Sequence, residues 1–145
     1  MDAGIYLTVR SEAELVACPL CGSSSRRLHS RYVRRVSDLP CSGLAVHLRI
    51  VTRRFRCEAL QCPRRIFAER FGDGVLLARS RRTARLEGLV HHLGLALGGR
   101  PAARFAKRLM LPVSNDTLLR VVRRHARPRT EPLTVVGIDD WAQPA

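Results

Sequence analysis

Two cysteine pairs, "CPLCG" at residues 18–22 and "CEALQC" at 57–62, constrain the fold of this chain more than any other feature. The two residues between Cys18 and Cys21 let a loop fold back so that both sulfurs reach one ion. Gly22 supplies the backbone freedom that such a knuckle needs. Cys57 and Cys62 form a second, looser pair with four residues between them. Four thiolates close a tetrahedral shell and leave no open coordination position, which predicts structural Zn2+ rather than a catalytic metal. Cys18, Cys21, Cys57 and Cys62 are therefore the candidate ligands, and Cys41 is expected to pack near a turn. The competing reading is four unrelated buried cysteines. The 35 residues between Cys21 and Cys57 exceed what a small finger carries, so a hairpin is expected to bring the knuckles together.

Hydropathy periodicity supplies that hairpin. Residues 1–72 read as a β-rich zinc-ribbon domain. Within it, Leu28, Ser30, Tyr32, Arg34 and Val36 fall on one face of a strand, and Leu44, Val46, Leu48 and Ile50 on one face of another. "SDLPCSG" reads as their connection, and "IYLTV" as a further strand. Beyond Gly72–Gly74 the period becomes helical. Leu86, Leu89, Val90, Leu93 and Leu97 form a stripe over 80–97, which Gly98–Gly99 ends. Pro101 suits the start of a second helix with Ala102, Phe105, Ala106 and Leu109 on its apolar face. Ser114 suits the N-cap of a third, which buries Leu118, Leu119, Val121 and Val122 and stops at Pro128. Residues 73–128 thus form a helical domain, and 129–145 one orphan strand, "TVVGIDDW". The fold class is α+β.

Charge limits the partners. Lys+Arg number 26 against 12 Asp+Glu, a net charge of +14, and all the cations but Lys107 are arginine. A GC-rich coding bias would favour arginine over lysine, but not an excess of positive charge. Such an excess repels itself unless a polyanion is bound, and arginine forks suit phosphates and guanine edges. Nucleic acid is the expected partner; an acidic protein or a membrane surface is the lesser alternative. No apolar run approaches 18 residues and the N-terminus lacks a signal-peptide plan, so a cytoplasmic, nucleoid-associated protein with reduced cysteines is expected, with no membrane span.

"RPAARFAKRLMLPVSNDTLLRVVRRHARPR" has the parts of a helix-turn-helix: a helix, a turn of about four residues and a second helix, with cations outward. In that reading Ser114, Asn115, Thr117 and Arg120 face base edges of double-stranded DNA, and Arg123, Arg124 and Arg127 meet phosphates. An ordinary αα-hairpin with a solvated basic face is the alternative. His29, His47, His91 and His92 read as structural, and His125 as a candidate phosphate contact.

Taken together, "CPLCGSSSRRLHSRYVRRVSDLP", "RRFRCEALQCPRRIFAER", "SNDTLLR" and "GIDDWA" resemble bacterial insertion-sequence transposases of the ISL-three family. The resemblance implies a zinc finger, a helix-turn-helix and the start of a DDE catalytic domain of RNase H-like fold. It also implies that Asp139 is the first catalytic acid, with Asp140 its neighbour rather than a second triad member. Mg2+ is expected only for a full-length relative, because acids from several elements must surround a two-metal site. The expectation is a truncated, non-catalytic chain that binds transposon terminal repeats, with full-length transposase or a second copy as further partners. The rival readings are a basic zinc-ribbon protein that binds RNA or the ribosome, and an inert remnant.

Overall fold

Two long strands carry the alternating segments. β4 (Leu28–Cys41) pairs antiparallel with β5 (Leu44–Arg56) in a computed structural model that describes residues 3–111 and 113–125. The turn is narrower than "SDLPCSG", because pairing continues to Cys41↔Leu44 past a register shift after Asp38. Ser42 and Gly43, both at positive φ (50° and 73°), make a two-residue turn whose twist matches that of the strands. Pro40 is tolerated in β4 because this strand lies at the sheet edge and has no ladder to complete on its outer side.

β1 (Gly4–Arg10) adds to β5 in parallel, and β6 (Ile66–Ala68) pairs with the far end of β5 at Arg54–Arg56. Period-two alternation gives this sheet two chemically different faces. Val36 and Ile50 look inward, buried with Leu76 and flanked by Leu48 and Phe71. β2 (Val16–Ala17) and β3 (Ser24–Ser25) form a small separate sheet around the first cysteine knuckle.

Three helices follow: α1 (Ala84–Leu97), α2 (Gly99–Arg108) and α3 (Asn115–His125). α1 starts at Ala84 rather than near residue 80, because Thr83 is extended and its hydroxyl caps Leu86 N at 3.4 Å. Ser114 caps α3, accepting from Thr117 N at 3.2 Å, as expected. Leu86, Val90, Ala102, Ala106, Leu111, Leu118 and Val121 form the helical core.

The expected apolar faces are only partly buried. Leu97 is 42% exposed and Leu119 36%; Phe105 (46%) and Leu109 (41%) stay outside because α2 approaches its neighbours through Ala102 and Ala106. The orphan strand, the 129–145 segment and Pro128 lie outside the described residues.

Asp38 joins the two regions. Its buried carboxylate accepts from Thr83 Oγ1 (2.7 Å), Arg85 Nε (2.7 Å) and Leu39 N (2.8 Å), and also pairs with Arg85 Nη2. The end of β4 is thereby tied to the N-cap of α1. The guanidinium of Arg85 holds the Asp38 carboxyl down to about 2 against the cost of burial.

Candidate metal centre and basic surfaces

The knuckles meet at the end of the hairpin remote from the helices. In the first, Gly22 N donates to Cys18 O and Cys18 N to Ser23 O, both at 2.9 Å, with Gly22 at φ +75°. In the second, Cys62 N donates to Ala59 O at 3.1 Å and Cys57 N to Arg65 O at 2.9 Å. All four sulfurs lie within 4.8 Å of one another, and Cys21 Sγ is 3.6 Å from Cys57 Sγ. A tetrahedral zinc with Zn–S near 2.3 Å requires S···S of about 3.8 Å, so the donor set fits.

The electrostatics of the four thiols are uneven. Hydrogen bonds from Ser23 pull Cys21 down to about 6. At Cys57 the Ala59 amide favours the thiolate, yet burial and the neighbouring thiols outweigh it and push the group up to about 12; burial also pushes Cys62 up. Clustered thiolates repel one another, and a divalent cation removes that conflict. Cys18 and Cys62 are buried with Phe55 and Phe67, whose rings stack at 6.1 Å. Cys41 stays exposed at the hairpin tip, apart from the ligands, as expected.

Arg53 braces this end. It forks onto the buried Glu69 (Nε 3.0 Å, Nη2 2.7 Å), reaches Ser11 Oγ and Ala13 O, and lies 5.1 Å over the Phe55 ring. Nothing in sequence periodicity marked Glu69, or the buried Glu87 that pairs with Arg82 (2.7 Å) and Arg124 (3.1 Å). Both are buried acids whose burial only the three-dimensional packing reveals.

The seven residues assigned to DNA are not equivalent. Ser114 and Thr117 serve each other in the α3 cap at 3.0 Å. Asn115 packs so close to Gly99 that a Cβ there would lie 1.9 Å from Asn115 Oδ1. Arg124 is held by Glu87, whereas Arg120 and Arg123 project into solvent. His125 lies tilted against His91 at 4.6 Å between ring centroids, and burial together with His125 pushes His91 down. Arg127, Asp139 and Asp140 lie outside the described residues.

A four-cysteine zinc ribbon built on a β-hairpin is the class that this centre defines. Residues 14–62, which contain all four cysteines, match the family described as the zinc-finger of transposase IS204/IS1001/IS1096/IS1165. The chain is also 40% identical over 60 residues to the transposase for insertion sequence element IS1001 of Bordetella parapertussis. That stretch spans 41% of this chain and 14% of that transposase. No solved structure matches. Residues 14–62 are thus similar to a transposase zinc-finger, in line with the ISL-three resemblance of the quoted motifs. No helix among the described residues is long and apolar enough to cross a membrane.

Proposed function

We infer that this chain binds double-stranded DNA at transposon ends, with α2 and α3 as a helix-turn-helix and the zinc ribbon as a folded brace. One observation carries the reading. α3 buries Leu118 and Val121 against α1 and α2 while Arg120 and Arg123 face solvent, beside a net charge of +14. Six residues, Leu109–Ser114, separate the two helices, a longer turn than the sequence suggests. Arg120 is assigned to base edges and Arg123 to phosphate, while Arg124 serves the fold through Glu87. Zn2+ is structural, and the four sulfurs leave no place for a substrate.

Strand transfer is not assigned to these residues. A divalent ion held by one carboxylate keeps most of its water, so Asp139 needs acids from other elements. Mg2+ belongs to a complete DDE domain, and a second copy or a full-length transposase is the further partner. The RNA reading, which calls for exposed aromatic stacking platforms, is not favoured by Tyr32, Phe55, Phe67 and Phe71. Phe55 and Phe67 are buried around the cysteines, Phe71 packs on Val36 and Ile50, and Arg54 covers Tyr32 at 4.6 Å.

Selection of duplexes from a random pool by the zinc-loaded protein tests the reading. Recovery of one motif resembling an inverted repeat is expected. Arg120→Ala should blur it, whereas Arg123→Ala should weaken all sequences alike. A pool that yields no motif would refute terminal-repeat recognition.

A further inference from the structure

The outward face of the large sheet has a chemistry that the α3 reading leaves unused. Tyr6, Thr8 and Arg10 of β1 pair with His47, Arg49 and Val51 of β5, and Arg35 of β4 stands opposite Arg49. All these side chains share one face, because residues paired across a sheet point the same way. Tyr6 is 62% exposed and stacks on His47 with ring centroids 5.0 Å apart. Gly4, two residues earlier on the same face, leaves room for the pair: a Cβ there would lie 3.4 Å from Tyr6 Cε2 and 3.5 Å from His47 Cδ2. Tyr6, Arg35, Ser37, His47, Arg49 and Arg81 line one hollow beside this stack.

The electrostatics are unbalanced there. Like charges directly opposite each other destabilise a sheet. Two arginine pairs occur on this face, Arg31↔Arg53 and Arg35↔Arg49. Glu69 relieves the first by holding Arg53. Arg35 and Arg49 have no carboxylate partner among the described residues, and Arg81 adds a third cation to the same hollow. An anion between them would remove the repulsion. Glu12 lies at the opposite end of the face, with Arg10 and Arg31.

We propose that this face binds single-stranded DNA, the Tyr6–His47 stack taking a base while Arg35, Arg49 and Arg81 take the adjoining phosphates. An exposed aromatic beside unpaired arginines on a flat sheet suits unstacked bases, whose faces are unavailable in a duplex. DNA rather than RNA is the proposed occupant because residues 14–62 match a zinc-finger model of DNA transposases. The surface is separate from α3 and does not depend on the helix-turn-helix reading.

Anisotropy of labelled oligo-dT of roughly 12 nucleotides, an equal duplex and oligo-U with the zinc-loaded chain decides it. Tyr6→Ala should weaken dT binding at least about five-fold, and Tyr6→Trp should restore it. Arg35→Ala and Arg49→Ala should each reduce the steepness of the salt dependence by about 0.7. Arg120→Ala should leave dT binding intact while weakening the duplex, so the two surfaces fail independently. Melting and zinc content are followed for each variant, and the two arginine changes keep the test open should Tyr6→Ala misfold. Unchanged dT binding in the arginine variants, a greater loss for duplex than for dT, or tighter binding of oligo-U would overturn the assignment.

Discussion

Asp38 does at the scale of one residue what no patterning rule specifies, because a single carboxylate links the hairpin to the helices through Thr83, Arg85 and Leu39. Its carboxyl is held at about 2, below the ordinary 3.8, so its contribution is complete above about pH 4 and is lost as pH falls through about 2. That contribution is on the order of 1–2 kcal/mol, trimmed because Arg85 is largely exposed. Asp38→Asn should lower urea stability by about that amount at neutral pH, and the difference from wild type should vanish near pH 2. Acid release of zinc is common to both proteins and cancels in the difference. A difference that stays constant from pH 5 to 2 would rule out the ion pair as its source. Cys57→Ser should abolish stoichiometric zinc, while Cys41→Ser should leave the metal content unchanged, both read by elemental analysis.

Among the elements, α1 shows how closely the helices meet. A Cβ on Gly94 would lie 2.6 Å from Val122 Cγ2 of α3, and Val122 is β-branched with little rotamer freedom in a helix. Gly94→Ala should therefore destabilise by about 1–3 kcal/mol despite alanine's higher helix propensity, and adding Val122→Ala should recover much of the loss. Gly88, in the same helix, has nothing within 4 Å of its Cβ position. Gly88→Ala should gain up to about 1 kcal/mol in thermal or urea unfolding. Equal effects at the two positions would show that packing between α1 and α3 does not decide the outcome.

For the whole molecule there are separate cores around the cysteines with Phe55 and Phe67, on the inner face of the large sheet around Val36, Ile50 and Leu76, and within the helices. Chelation of zinc should melt the knuckles and small sheet first, with helical circular dichroism retained, because metal affinity is folding energy in such modules. Simultaneous loss of both signals would mean that Asp38 and its partners couple the regions into one cooperative unit. Duplex DNA affinity should fall roughly a thousand-fold from 50 to 200 mM salt if about six phosphates are neutralised. A shallow salt dependence would exclude the arginines as the main contacts.

The four-cysteine cluster, the hairpin between its halves and the existence of three helices were legible in the sequence alone. Thiolate spacing and hydrophobic period are local properties, and local properties survive without knowledge of the fold. Cys18, Cys21, Cys57 and Cys62 were legible because the two knuckles are each written within a few residues. Which apolar residues stay outside, as with Phe105 and Leu109, was settled by packing, since helix rotation depends on the close contacts of Ala102 and Ala106. It also decided which charges serve the fold: Arg124 is drawn to Glu87, while Arg120 on the same helix stays exposed. The segment that carries Tyr6 and Thr8 was readable as a strand. Its meeting with His47, Arg49 and Arg35 was not, because pairing β1 in parallel with β5 joins residues some forty positions apart, and no local period encodes that register.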